Sequence, residues 1–168
     1  MVKNFKLSTR SVFLAIIILS LLKNPALSGL DPRDKEIAKN NSNSKFAEGL
    51  AQNPHYCVTD EDREFLWNNP STKFAEMLAQ NPRYIVTDKD KFFARNNPST
   101  KFTEGLVKNP TFIVTEEDKT FARNNPNTRF AEGIVTLSSY VIKEEDKEFA
   151  RKNPNNKFAE DLTKNPSF

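Results

Sequence analysis

The chain has 168 residues, with 25 Lys and Arg, 22 Asp and Glu, and a single cysteine that excludes an intramolecular disulfide framework. The net charge of +3 comes from the N-terminal segment, because Lys3, Lys6, Arg10 and Lys23 lie there without any acid. Without these four the chain has 21 basic and 22 acidic residues, a net charge of −1, which excludes the basic stripe expected of a nucleic-acid-binding protein.

Residues 1–28 have the three parts of a secretory signal peptide. Basic residues come first, the apolar run Val12–Leu22 follows, and Ala26-Leu27-Ser28 offers small residues at a cleavage site. An uncleaved anchor is the alternative reading, but the run is shorter than the roughly 20 residues that a membrane span needs. The sequence therefore predicts a secreted or periplasmic protein with no membrane span after cleavage.

The rest of the chain is a tandem repeat. A 28-residue unit occurs five times without insertion or deletion, and the last copy stops two residues short. The unit keeps Asp, Asn, Phe and Glu at fixed positions, which are Asp62, Asn69, Phe74 and Glu76 in the second copy. Such periods are typical of stacked arrays. One domain, 29–168, is predicted, and copies one to five are residues 31–58, 59–86, 87–114, 115–142 and 143–168.

The first part of each unit predicts a short helix. In copy two, Thr59 can cap the first free N–H groups, and Asp62, three residues later, can accept a bond from the backbone of Thr59. Acidic residues in the first turn also favour a helix start because they face the positive end of the helix dipole. The helix is predicted from Asp60 to about Trp67.

The second part of each unit predicts another helix and an extended linker. Asn69-Pro70 is predicted to supply the N-cap and the first helical residue, and Asn81-Pro82 to end the helix. The residues 83–86 are predicted to be extended. Because such short helices must share a core, the sequence predicts an all-α fold: a right-handed-type α-solenoid of five 28-residue helix-turn-helix repeats with short extended linkers.

Two copies depart from the pattern. Copy one has Pro32, Ile37 and Ser42 at positions where the other copies differ, and is predicted to be an N-terminal cap. Copy four has Leu137-Ser138 in place of Asn-Pro, so its second helix is predicted to run on differently.

Polar residues do not form a recognisable reaction centre. Cys57 and His55 would share one face of an extended segment, but their positions in other copies hold unrelated residues, so Cys57 is predicted to fill an apolar slot. The acidic run Asp60–Asp62 lacks the spacing and glycine of a calcium-binding EF-hand loop. We therefore predict no catalytic residue, no cofactor and no metal, and a protein that is not an enzyme.

Three smaller expectations follow from single residues. Glu76, mid-helix in its copy, predicts a repeated salt bridge to Lys73 or to a neighbouring unit. Cys57 leaves a disulfide-linked dimer open in an oxidising space. Asn40 begins the one N-glycosylation sequon that proline does not block.

The leading functional hypothesis is an exported, non-enzymatic repeat protein that binds a protein partner through the positions that vary between copies. Trp67 is predicted to be an exposed aromatic anchor of that interface, with packing on copy one as the alternative. The candidate partner-binding residues are Trp67, Phe92, Arg83, Arg95, Arg123 and Arg151.

Two alternative functions stay open at this point. Tandem copies behind a signal peptide also fit a precursor that is cut into several similar short secreted peptides, although Arg151-Lys152 is the one adjacent basic pair after the leader. A secreted inhibitor or effector that acts through one loop is the other alternative.

Overall fold

The computed structural model describes residues 30–168. The predicted signal peptide, residues 1–28, and its cleavage site lie outside the described residues. Within 30–168 the chain forms ten helices and no strand, so the all-α class is confirmed. No helix in this part of the chain is long and apolar enough to cross a membrane.

Each copy of the repeat contributes two short helices. The first helices, each of nine residues, are α1 Pro32–Asn40, α3 Asp60–Asn68, α5 Asp88–Asn96, α7 Glu116–Asn124 and α9 Glu144–Lys152. The second helices are α2 Lys45–Ala51, α4 Lys73–Gln80, α6 Lys101–Leu106, α8 Arg129–Ile134 and α10 Lys157–Lys164.

The first helices begin as the sequence predicts. In α3 the Thr59 hydroxyl accepts from the backbone N–H of Asp62 at 3.2 Å, and the Asp62 carboxylate accepts from the backbone N–H of Thr59 at 3.0 Å. The same reciprocal pair opens α5 at Thr87 and α7 at Thr115. Two backbone donors are thereby satisfied at each of these starts.

The predicted start of the second helices is wrong by three residues. In copy three, Asn97 lies beyond the end of α5, and its side-chain amide donates to the Phe93 carbonyl at 3.1 Å. Residues 97–100 form a turn, in which the Thr100 N–H donates to the Asn97 carbonyl. The N-cap of α6 is Thr100, whose hydroxyl accepts from the backbone N–H of Thr103. Asn-Pro thus occupies the first two positions of a β-turn, where both residues are favoured.

The same turn ends the second helices. After α4, the Tyr84 N–H donates to the Asn81 carbonyl at 2.8 Å, and Asn81 ends the helix as predicted. The expectation that α8 runs on differently in copy four is wrong. Leu137 makes the equivalent backbone bonds, from its N–H to the Ile134 carbonyl at 3.2 Å and from the Tyr140 N–H to its own carbonyl at 2.9 Å.

Aromatic rings form the centre of the core. Phe102 is fully buried, with Phe93 of its own first helix edge-on at 5.6 Å between ring centroids and Tyr84 of the preceding copy at 6.2 Å. Its equivalents Phe74, Phe130 and Phe158 are also fully buried. The exception is Phe46 in copy one, which is 47% exposed.

Neighbouring copies contact each other mainly through their second helices. The approach is close at Gly105 of α6, where an added Cβ would lie 2.1 Å from the Glu76 carbonyl oxygen of α4. Between the same copies, the Phe102 N–H donates to the Pro70 carbonyl at 2.8 Å. These contacts are consistent with a helical repeat.

A buried asparagine also joins successive copies. The side-chain amide of Asn109 donates to the carbonyls of Ala79 at 2.6 Å, Asn81 at 3.0 Å and Tyr84 at 3.0 Å. Asn81 and Asn165 donate in the same way to their preceding copies. Leu137 holds this position in copy four and lacks the amide, so copy four keeps the backbone turn without the side-chain bond.

The predicted salt bridge of the repeated glutamates is confirmed, but their predicted mid-helix position is wrong, because the second helices begin later and place Glu76 and Glu104 in the first turn. Lys73 lies 2.7 Å from Glu76 in α4. In copy three, Glu104 pairs with Lys108 at 3.0 Å and also with Arg129 of the next copy. Both predicted kinds of partner, within the unit and in a neighbouring unit, therefore occur.

Candidate functional site

A fully buried carboxylate joins copies three and four. Asp118 lies 2.6 Å from the guanidinium of Arg95 and 3.3 Å from the ammonium of Lys91, and both cations belong to α5. Within its own copy it accepts from the N–H and the hydroxyl of Thr115. These donors compensate for removing the charge from water. Asp62, Asp90 and Asp146 hold the same position in the other copies and are also fully buried.

These ion pairs account for two of the candidate partner-binding residues. Arg95 and Arg123 bind Asp118 and Asp146 at 2.6 Å and 2.5 Å, and both side chains are largely buried between copies. Their main contacts are therefore structural. Arg151 is 63% exposed and pairs with Glu144 at 2.7 Å in its own helix. Arg83 is exposed in the linker after α4.

Trp67 replaces one of these arginines. Its ring stacks on Phe93 of copy three at 6.3 Å between centroids, and its Nε1–H donates to Asp90 at 3.3 Å. Arg63 supplies the positive charge on Asp90, at 2.6 Å. The prediction of an exposed tryptophan is wrong, because the side chain is half-buried, and its stacking partner belongs to copy three rather than to copy one.

A shallow apolar hollow lies beside this tryptophan. Trp67, Phe92, Phe93, Asp88 and Lys89 line a volume of about 440 Å³. Phe92 is mostly exposed, whereas the equivalent positions in the other copies hold Glu or Thr. The hollow is therefore a local feature of copies two and three. We refer to it as the Trp67–Phe92 hollow.

The tyrosines of the linkers bind the same carboxylates. The Tyr84 hydroxyl donates to Asp90 at 2.5 Å, and that of Tyr140 donates to Asp146 at 3.0 Å. Burial, together with the neighbouring carboxylate charge, raises the pKa of both phenols far above its ordinary value. Burial alone would also raise the pKa of Asp62, but bonds from Lys39, Thr59 and Lys35 outweigh it and lower that pKa.

A row of exposed residues along the linkers was missed by the sequence reasoning. Ile85 is 58% exposed, Ile113 68% and Val141 61%, and Cys57 is exposed at the same position in copy one. The prediction that Cys57 fills an apolar slot is therefore wrong. The signal was present, because an inward aromatic in an extended segment turns the next side chain outward. We call Cys57, Ile85, Ile113 and Val141 the linker row.

Side-chain hydroxyls hold the linkers side by side. The Thr111 hydroxyl accepts from the Val86 N–H at 3.0 Å and donates to the Tyr84 carbonyl at 3.1 Å. Ser139 makes the corresponding two bonds to Val114 and Phe112, both at 3.2 Å. These bridges place the outward side chains of successive linkers next to one another.

The carbonyl of each residue in the linker row is also bound. Arg63 donates to the Ile85 carbonyl at 2.7 Å and Lys119 to the Val141 carbonyl at 2.5 Å. Cations of the first helices thus bind the linker backbone, while the apolar side chains of the row face outward.

Among residues 30–168, no cluster of three or more His, Cys, Asp or Glu side chains is arranged to hold a metal ion. Comparison of the chain with protein-family models, with curated proteins and with solved structures found no significant match.

Proposed function

We propose that this chain is an exported, non-enzymatic α-solenoid that binds a protein partner through the linker row. The observation that carries the proposal is the recurrence of an exposed apolar side chain in successive linkers. A single exposed isoleucine is ordinary on a protein surface, whereas an ordered apolar row is typical of an interaction site.

The fixed backbone of the linkers favours binding. The linkers that carry Ile85 and Ile113 are bonded sideways through a hydroxyl of the next copy, and the carbonyl of each residue in the linker row accepts from a lysine or arginine. A surface that is ordered before association loses little conformational entropy when a partner docks. A partner with a matching apolar strip therefore gains most of the burial free energy of the row.

The solenoid form rests on the regular contacts between copies. Asn81 donates to the Ala51 carbonyl and Asn109 to the Ala79 carbonyl, each across 30 residues. Equal offsets between equivalent residues imply similar rotations from copy to copy, and such arrays present extended binding surfaces.

The Trp67–Phe92 hollow fixes the register in which a partner binds along the linker row. The linker row repeats along the array, so by itself it would allow a partner to bind in several registers. Within residues 30–168, Glu or Thr replaces Phe92 in the other copies, so the hollow, with Asp88 and Lys89 beside it, selects one register by accepting a single apolar anchor. Arg83, exposed two residues before Ile85, adds a positive charge to the same linker.

The binding proposal is tested by combining Ile85→Ser, Ile113→Ser and Val141→Ser in the full chain. Wild-type chain captures the partner from the native medium, and mass spectrometry identifies it. We expect its affinity for the triple variant to fall on the order of 10- to 100-fold. The matched control combines Ser71→Ala and Ser99→Ala, which are exposed in the turns between helices and should leave affinity unchanged. Undiminished binding by the triple variant contradicts the proposal.

Export and processing are tested separately. Intact-mass measurement of the exported product is expected to give one chain that begins near residue 29. Peptides close to one repeat in length would instead support the precursor hypothesis.

A further inference from the structure

Copy one exposes apolar side chains at positions that are buried or half-buried in the later copies. Phe46 is 47% exposed and Ile37 is 49% exposed, although the Phe74 and Phe102 equivalents of Phe46 are fully buried. Phe74 is covered by Tyr56 of the preceding copy at 6.1 Å, in edge-on geometry. A terminal cap should carry a polar outer face. The exposed side chains of copy one therefore do not fit the predicted N-terminal cap.

The same face of copy one carries a carboxylate. Asp34 corresponds to Asp62, which is fully buried under Lys35 at 3.1 Å and Lys39 at 2.7 Å, both from the preceding copy. Asp34 itself is half-buried. Copy one thus offers a carboxylate and a phenylalanine at the two positions by which every later copy contacts its predecessor.

The far end of copy five offers the complementary groups. Arg151, at the position of Arg95 and Arg123, is 63% exposed, and Phe168, at the position of Tyr84, is 41% exposed. The ammonium of Lys147 lies 5.6 Å from the centre of the Phe168 ring. Interior copies hold the same cation–aromatic pair, for instance Lys119 at 5.0 Å from the Tyr140 ring. Copy five therefore already holds the cations and the aromatic ring that an interior copy presents to the copy after it.

We propose that the chain self-associates head to tail, with copy five of one molecule stacked on copy one of a second molecule of the same chain. Lys147 and Arg151 of the first molecule bind Asp34 of the second, and Phe168 covers Phe46. The contact repeats the one that joins successive copies within the chain. It is heterologous, so it leaves a free end of each kind and allows longer assemblies to grow.

The test is sedimentation velocity of the full chain over a range of concentrations. Wild-type chain is expected to form a concentration-dependent series of dimers and longer oligomers. Asp34→Lys alone, or Lys147→Glu with Arg151→Glu, places like charges at the contact and is expected to weaken association on the order of tenfold or more. An equimolar mixture of the two variants is expected to regain association, because each reversed face then meets its complement.

Controls separate the end faces from other surfaces and from misfolding. Arg83→Glu changes an exposed charge away from both ends and should associate like wild type. Helical circular dichroism checks folding, and Phe46→Ser serves as a second variant of the copy-one face. A monomer at every concentration overturns the proposal. Association that persists in both charge variants, or that mixing does not restore, overturns it as well.

Discussion

At the scale of single residues, Asp118 is a fully buried carboxylate that two cations of the preceding copy hold in place. Replacing it by Asn leaves Arg95 and Lys91 beside a neutral amide in a largely dry site. We expect the Asp118→Asn variant to have a free energy of unfolding about 3 kcal/mol below that of the wild type, measured by chemical denaturation. Asp88→Asn is the matched control, because Asp88 is an exposed first-turn acid whose loss should cost at most about 1 kcal/mol. Equal losses would mean that the buried pair contributes little.

The tyrosines make stability sensitive to alkali. All three tyrosines of the chain, Tyr56, Tyr84 and Tyr140, have a pKa raised by burial, whereas an unfolded tyrosine ionises near pH 10. Above about pH 10 the unfolded chain therefore loses phenolic protons that the folded chain keeps, so stability falls as pH rises. We expect tyrosinate absorbance to appear together with the loss of helical circular dichroism. Ionisation of the tyrosines near pH 10 in a chain that stays helical would contradict the buried phenols.

Asn97 and Asn109 both precede a proline in copy three, Asn97 after its first helix and Asn109 after its second, but the two side chains have different roles. Asn109 donates to three backbone carbonyls of the preceding copy, whereas Asn97 donates to one carbonyl in its own helix. Asn109→Ala leaves buried carbonyls without a donor and is expected to cost about 2 kcal/mol. Asn97→Ala is expected to cost about 0.5 to 1 kcal/mol. Chemical denaturation of the two variants decides the order, and a larger loss at Asn97 would contradict it.

Single residues also show where sequence reasoning reaches its limit. The repeated aspartate, and the arginines at the Trp67 position, are visible in the sequence as separate columns. Their pairing is not, because Arg95 meets Asp118 across 23 residues only once the copies are stacked. The sequence alone therefore predicts surface positions for Arg95, Arg123 and Trp67, whereas the stacking of copies buries most of Arg95 and Arg123 and half-buries Trp67.

At the scale of the helix, two local signals compete in each unit. Asn69-Pro70 and Thr72 are both good helix starts, and they lie two or three residues apart. The structure uses Thr72, because the Asn69 carbonyl accepts from the Thr72 N–H and closes a turn first. Helix existence and order followed from the sequence, whereas the boundary depended on which of two similar caps the turn geometry allows.

The contact between second helices requires a glycine in copy three. An added Cβ on Gly105 would lie 2.1 Å from the backbone oxygen of Glu76, whereas nothing lies within 4 Å of a Cβ on Gly49. Gly105→Ala must therefore separate α4 from α6, and we expect a loss of about 2 to 3 kcal/mol. Gly49→Ala, the matched control, is expected to be neutral or to stabilise by up to about 1 kcal/mol, because alanine is the better helix former. Thermal denaturation of both variants checks the difference, and similar melting temperatures would mean that the helices are less closely packed.

At the scale of the whole molecule, stability should depend on the number of copies. Phe102 and Phe130 are each covered partly by an aromatic ring of the preceding copy, so a shorter array loses shared core. Deleting residues 115–168 is expected to lower the melting temperature by at least about 5 °C, measured by circular dichroism. An excised unit, residues 59–86, should be much less helical per residue than the whole chain. Equal helicity would show that stacking is not the source of stability.

The repeat and the helical class were readable from the sequence at this scale, but the surface was not. The 28-residue period and the aromatic columns predict which elements exist and that they share a core. Whether Ile113 faces inward or outward depends on the Thr111 bridge and on the cation beneath the linker, which are contacts between copies. The alternation of inward and outward side chains along the extended linkers therefore suggests the linker row but does not establish it.

The constant spacing of these joints has a consequence for how the gene can change. The buried aspartates are bound by cations 27 or 23 residues earlier at successive joints, so one unit can follow another and keep these ion pairs. Loss of residues 87–114 would join Val86 to Thr115 and bring Asp118 against Arg63 and Trp67, the partners that now hold Asp90. Unequal recombination between the repeated segments can thus add or remove whole units of 28 codons and still yield complementary neighbours. An insertion of one codon inside a unit would instead displace the donors of that unit from their acceptors, so selection is expected to preserve unit length more strictly than unit number.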